Sequence, residues 1–195
     1  GHVPADEIML YRIIWSFLTV VLVIWLRRRF TFLLSAWKDK VTRRRSLAAA
    51  LCLAVNWYAF LWTIDADRIL ESSLGYFLCP LFSVFWGRIL LGERLSRIRQ
   101  AAVACAFLGV AWLVFLAGEI PVAALAIAVS WSLYGFVKKQ TKTGPYTSLS
   151  METTWILPLT LLLLAGYLAS GRATVSPLDL PEIAHLATSG AITLA

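Results

Sequence analysis

Residues 10–30 read LYRIIWSFLTVVLVIWLRRRF. An apolar run ends here on three consecutive arginines, Arg27, Arg28 and Arg29, and keeps a fourth, Arg12, near its start. A helix needs roughly 20 mostly apolar residues to cross about 30 Å of hydrocarbon. A block of cations marks where such a helix meets water on the cytoplasmic side. The stretch therefore predicts a transmembrane helix stopped by charge.

The rest of the chain repeats the theme. Of its 195 residues 59% are hydrophobic and 15% charged, where a soluble domain carries about a quarter charged residues. Six runs qualify as spans, at about 8–26, 47–64, 70–91, 101–117, 121–137 and 151–168. A seventh begins near Ile183 and reaches the chain end after 13 residues. The expectation is an all-α integral membrane protein with six complete transmembrane helices and a truncated seventh. The start at Gly1-His2, without methionine, suggests a fragment.

The net charge of +7 admits nucleic acid, anionic lipid or membrane topology as its cause. Position decides. Residues 27–46 hold eight Lys and Arg, and residues 92–100 and 138–150 hold three each, so fourteen of the 18 cations fall in alternate connections. By the positive-inside rule those connections are cytoplasmic and the N-terminus is external. No nucleic-acid face is indicated. Within the long inner connection Phe30, Leu33, Leu34, Trp37 and Val41 recur at helical spacing between two arginine triplets. An amphipathic segment on anionic lipid is one reading; a solvated loop is the other.

Cys52, Cys79 and Cys105 stand singly in apolar runs, and His2 and His185 lie far apart. Neither disulfide nor metal-ligand spacing is present, and no cofactor or metal is expected.

Inside the spans, Gly75, Cys79, Ser83 and Gly87 recur every four residues, as do Ala101, Cys105 and Gly109. Small residues let helix backbones approach in lipid, so both stripes predict packing seams. Pro80 falls near the middle of its span, where a lost N–H permits a helix break. Trp15, Asn56, Trp57, Ser130 and Trp131 all lie near mid-depth, whereas Trp25, Trp62, Trp86 and Trp112 sit near span ends and read as interfacial belt residues. A mid-bilayer cavity lined by Trp15, Asn56, Trp57, Trp131 and Tyr134 would suit a small amphiphilic molecule; interhelical packing is the plain alternative. A cation at depth must snorkel, pair or face water. Arg12, three residues before Trp15, could do the first or reach Glu71, at the start of the third span on the same outer side.

The pentads Tyr11-Arg12-Ile13-Ile14-Trp15 and Met151-Glu152-Thr153-Thr154-Trp155 each place a charge three residues before a tryptophan. The first enters from outside and the second from inside, as in the inverted repeats of secondary transporters. The stretches His2-Val3-Pro4-Ala5-Asp6-Glu7-Ile8, Tyr11-Arg12-Ile13-Ile14-Trp15-Ser16, Asn56-Trp57, Glu71-Ser72-Ser73-Leu74-Gly75-Tyr76-Phe77 and Gly92-Glu93-Arg94 resemble the RarD family of EamA-type permeases, in the drug/metabolite transporter superfamily. The resemblance implies ten helices in two inverted five-helix repeats. On it, residues 1–118 would be the second to fifth helices and residues 119–195 the sixth to a truncated eighth, with Glu93 marking a cytoplasmic boundary.

The function expected is a permease or exporter of small amphiphilic metabolites or drugs, working in a bacterial inner membrane by rocking of the repeats. Trp15, Asn56, Trp57, Trp131 and Tyr134 would bind, Arg12 and Glu71 would form an outer vestibule, and Glu152 the inner counterpart. The partners expected are a small solute and anionic lipid. A membrane-embedded enzyme acting on a lipid-like substrate and a non-transporting assembly subunit are the rivals. The enzyme needs acids clustered at one depth, and here they are single and at opposite faces.

Overall fold

With no water to bond exposed peptide groups in hydrocarbon, a chain of this composition satisfies its backbone within helices. The computed structural model describes residues 5–92, 96–141 and 143–170, and every regular element among them is helical. In order these are α1 (Ala5–Leu26), α2 (Phe30–Lys38), α3 (Lys40–Asp65), α4 (Ile69–Leu91), α5 (Arg97–Ala117), α6 (Val122–Gln140) and α7 (Pro145–Ala169). Helices α1, α3, α4, α6 and α7 are long and apolar enough to cross a membrane. Helix α5, of 21 residues, occupies the stretch expected as the fourth span. The run from Ile183 and the Glu93-Arg94 pair lie outside the described residues.

The turns are built by local hydrogen bonding. After α1, Arg28 takes a left-handed conformation at φ 52°, the Arg29 N–H bonds the Ile24 carbonyl, and the Arg28 N–H bonds that of Trp25. After α3, Asp67 does the same at φ 54°, with Arg68 N–H on Thr63 and Asp67 N–H on Ile64. Both are Schellman ends, which satisfy orphan carbonyls. Helix α5 stops at Gly118, whose φ of 69° favours a residue without Cβ. Between α2 and α3, Asp39 accepts the N–H groups of Val41 and Thr42 and the Thr42 hydroxyl. Those bonds, the hydroxyl's foremost, hold its carboxyl below the usual carboxylate range.

By contacts the chain forms two units, residues 1–51 with 141–195, and residues 52–140. Helix α3 contributes to both. In the first, α1 packs on α7, antiparallel, since Arg27 at the end of α1 lies 4.9 Å over the Tyr146 ring at the start of α7. Leu10, Ile13, Val20 and Ile24 form the buried stripe of α1, and Met151 and Ile156 are buried on α7. Helix α2 lies against α7 through Trp37 and Trp155, with ring centroids 5.3 Å apart.

In the second unit α4 and α6 share the main seam. They run parallel: Gly75 meets Ala124 and Ile127, and Trp86, three turns on, bonds Ser132. A Cβ at Gly75 would stand 2.9 Å from both the Ala124 carbonyl oxygen and Ile127 Cβ. The expected stripe is this seam, with Gly75, Cys79 and Gly87 buried. Its polar members return their hydrogens to their own helix, Ser83 Oγ to the Cys79 carbonyl and Cys79 Sγ to that of Gly75. The second stripe differs. Ala101, Cys105 and Gly109 on α5 are exposed among the described residues, and a Cβ at Gly109 would meet nothing within 4 Å. Small residues permit close approach but do not attract a partner in lipid.

The burial pattern identifies the solvent. Glu7, Ser16, Asn56, Thr63, Glu152 and Thr153 are at most 2% exposed, while Leu18, Leu22, Trp25, Leu51, Tyr58, Phe77 and Leu108 stand largely outside. Polar side chains buried while large apolar ones stand exposed is the arrangement lipid demands.

Candidate functional site

The site is assembled on α3, α4 and α6. Leu53, Asn56, Ala59 and Thr63 form the buried stripe of α3 at intervals of three and four residues, which places Asn56 against the other two helices. Its Nδ2 donates to the Ile127 carbonyl at 3.3 Å and to Ser130 Oγ at 3.4 Å, both on α6. Ser130 gives its one hydroxyl hydrogen to its own helix, with the Ala126 carbonyl 2.6 Å away, so toward Asn56 it can only accept. That orients the amide. Its Oδ1 is left to accept the hydroxyl of Tyr76, on α4, at 3.4 Å. One buried amide thus ties three helices.

Aromatic rings extend from this node. Tyr76 meets Trp131 edge-on, with centroids 6.3 Å apart at 83°, and Trp131 stacks on Tyr134 at 5.4 Å and 25°. Lys138, one turn on, holds its Nζ 5.5 Å from the Tyr134 centroid. Toward the α3–α4 turn the three helices and the segment before α6 line an open hollow of about 440 Å³. Its walls include Val55, Tyr58, Trp62 and Ala123, and Arg68 and Glu71 also line it.

The Schellman turn at Asp67 delivers Arg68 to this position. Arg68 Nη2 lies 2.8 Å from Glu71 Oε1 and 2.9 Å from Glu119 Oε2, and the guanidinium stands 5.8 Å from the Trp62 centroid. Glu119 follows the Gly118 turn. At the other end of the α4–α6 seam a hollow of about 270 Å³ is lined by Ser83, Gly87, Ser132, Gly135 and Lys139, among others. Beside it Trp86 Nε1 donates to Ser132 Oγ at 3.0 Å. Trp86, expected in the belt, is thus bonded across a helix seam.

Of the five residues read as a binding set, the structure gathers Asn56, Trp131 and Tyr134, with Trp57 half-buried next to Asn56 on α3. Trp15 belongs to the other unit, where it is half-buried on α1 and its carbonyl accepts the Thr19 hydroxyl at 2.7 Å. Arg12 is exposed on the same helix. Glu152, also there, is fully buried on α7 and accepts the Ser148 hydroxyl at 2.7 Å. Ser148, Ser150 and Thr153 on the same helix are buried with it. Helix α4 passes through Pro80 and α7 through Pro158; only the first was marked in the sequence.

Arg68, Glu119, Tyr76 and Ser132 were not singled out in the sequence as site residues. The i,i+3 spacing of Arg68 and Glu71 at a helix start was a readable signal for one ion pair. Nothing local announces Glu119, which is 51 residues from Arg68.

Long apolar helices with inward polar groups, tied in one unit by a buried amide, define a multi-pass membrane protein. Its family is shown by comparison: the pattern of the EamA-like transporter family matches residues 1–115. The chain belongs to that family. It is 35% identical over 158 residues to Protein RarD of Escherichia coli (strain K12), covering 81% of this chain and 53% of that protein. An uncharacterized transporter, YojE, of Bacillus subtilis (strain 168) is 36% identical over 184 residues, 88% of this chain and 59% of its own length. The chloramphenicol-sensitive protein RarD of Pseudomonas aeruginosa is 31% identical over 164 residues, covering 81% and 55% respectively. The chain spans about half the length of the curated relatives it matches. No solved structure matches it.

Proposed function

We propose that the intact protein carries small amphiphilic organic solutes across a bacterial cytoplasmic membrane by alternating access. The observation that carries this reading is the Asn56–Tyr76–Ser130 node, set among lipid-coated helices beside Trp131, Tyr134 and a hollow of about 440 Å³. Buried polar groups at membrane depth are expensive and mark solute or ion paths, and binding pockets combine apolar walls with few oriented polar groups. The name of the P. aeruginosa relative links that protein to an aromatic, amphiphilic drug, the chemical class such walls suit. In this reading Trp15, Asn56, Trp57, Trp131 and Tyr134 contact solute, Arg12 and Glu71 form the outer vestibule, and Glu152 serves the inner mouth. Residues 1–118 and 119–195 belong to successive inverted repeats, with the N-terminus external.

Solute flux into liposomes holding the purified intact protein tests this. Trp131→Ala should change the range of solutes carried, whereas Trp112→Ala, on an exposed ring stacked with Phe115, should not. Arg12→Ala and Glu71→Ala should each slow flux while insertion persists. Catalytic turnover without flux would favour a lipid-modifying enzyme; neither activity would favour an assembly subunit.

We also propose that α2 lies in the headgroup layer on anionic lipid. It presents Trp37 to α7 and buries Ala36 while Phe30, Phe32 and Leu34 remain exposed, and eight cations flank or end it between residues 27 and 46. Attraction to acidic headgroups amounts to about 1 kcal/mol per Lys or Arg near the surface. Replacing Arg43, Arg44 and Arg45 with glutamine should weaken any stabilisation by anionic over zwitterionic vesicles; unchanged preference would remove the proposal.

A further inference from the structure

We infer that the hollow between α3, α4 and α6 is a site for organic monocations, preferentially amines that retain an N–H donor. The inference rests on the transport reading above and narrows its substrate class.

Charge is the first ground. The charged side chains that line the hollow are Arg68 and Glu71, and the same Arg68 nitrogen that meets Glu71 also meets Glu119, which stands at the rim in water. One cation faces two carboxylates, leaving a formal charge of −1 on the group. A dicarboxylate with one arginine between its members is completed by one further positive charge, and a low-dielectric wall strengthens that preference.

Hydrogen bonding is the second. Glu71 Oε1 is taken by Arg68, but Oε2 is buried and, among the described residues, receives no hydrogen bond. The Glu71 side chain is only 12% exposed. A buried carboxylate oxygen without a donor carries a desolvation cost that a ligand N–H would relieve. Glu119, at 71% exposure, has water for its remaining acceptor sites. The donor is therefore wanted at Glu71.

Shape is the third. A volume of about 440 Å³ is within the range of small-molecule pockets, and its walls are chiefly apolar. Tyr58 and Trp62 line the hollow, aromatic faces attract cations, and Trp62 already carries the Arg68 guanidinium. A ligand ammonium would sit at Glu71 with its hydrocarbon or aromatic body toward Val55 and Ala126. An anion would meet two carboxylates and is disfavoured.

The test measures binding of four matched probes to the intact protein in nanodiscs: phenethylammonium, its trimethylammonium analogue, 2-phenylethanol and phenylacetate. The primary amine should bind best, the quaternary ion next, and the neutral alcohol about tenfold or more weaker. Phenylacetate should bind least. Glu71→Gln should erase the advantage of the amine over the alcohol while binding of the alcohol persists, which separates lost charge from lost fold. Equal binding of amine and alcohol, or an amine preference unchanged in Glu71→Gln, overturns the inference. Flux of neutral solutes in that event would leave the transport reading standing. Absence of flux for every solute would strike that reading instead.

Discussion

Asn56 shows how much one side chain can organise at membrane depth. Its amide satisfies groups on two other helices, and the direction of each bond follows from Ser130 having spent its hydrogen on its own helix. Asn56→Ala removes the amide's bonds to Ile127, Ser130 and Tyr76 and should cost about 1–3 kcal/mol, read as a fall in unfolding midpoint in detergent. Asn56→Asp, which has no NH2 to give α6, should restore little of it. Asp67 offers the opposite case. An L-residue held at φ 54° carries roughly 1–2 kcal/mol of strain, so Asp67→Gly should raise thermal stability; a fall would mean the aspartate side chain contributes more than its backbone costs. The sequence marked Asn56 because a lone amide in an apolar run needs a partner. It did not mark Tyr76, since a tyrosine among phenylalanines looks like any other apolar ring.

Among the elements, α4 and α6 carry the contrast that sequence alone left level. Two stripes of small residues looked equivalent, and only the one through Gly75 meets a neighbour among the described residues. Gly75→Ala forces Cβ against a backbone carbonyl, which cannot move away as a side-chain end could. We expect a loss of about 1–3 kcal/mol, whereas Gly109→Ala should be near neutral or slightly stabilising through helix propensity. Equal melting temperatures for the two variants would contradict the seam. Helix existence was legible throughout because runs of twenty apolar residues have few alternatives in lipid. Helix partners were not, because in hydrocarbon every apolar face is equally at ease. The break between α2 and α3 at Asp39 was also hidden: the periodicity of Phe30, Trp37 and Val41 runs across it, and only the capping bonds to Thr42 reveal the join.

For the whole molecule, the distribution of cations makes the orientation testable. In a cysteine-free background, which requires replacing Cys52, Cys79 and Cys105, a cysteine at Ser35 should label from the cytoplasmic side and one at Asp67 from outside. Labelling of Ser35→Cys from outside would invert the topology and with it the roles given to Glu71 and Glu152. The class of protein was readable at this scale from composition and charge order. The assembly of the cleft was not, because Arg68 and Glu119 are brought together by two turns whose geometry lies in left-handed residues and not in any motif.

The contact at Gly75 has a mechanical corollary. Helix α4 precedes residue 118 and α6 follows it, so, on the proposed division of the chain into repeats there, backbone-close packing stitches together elements of successive halves. A hinge passed between those halves would have to shear a groove too narrow for a methyl group. The lever arm in any swinging motion is thus expected to be the α4–α6 pair travelling as one rod, with the joint placed elsewhere.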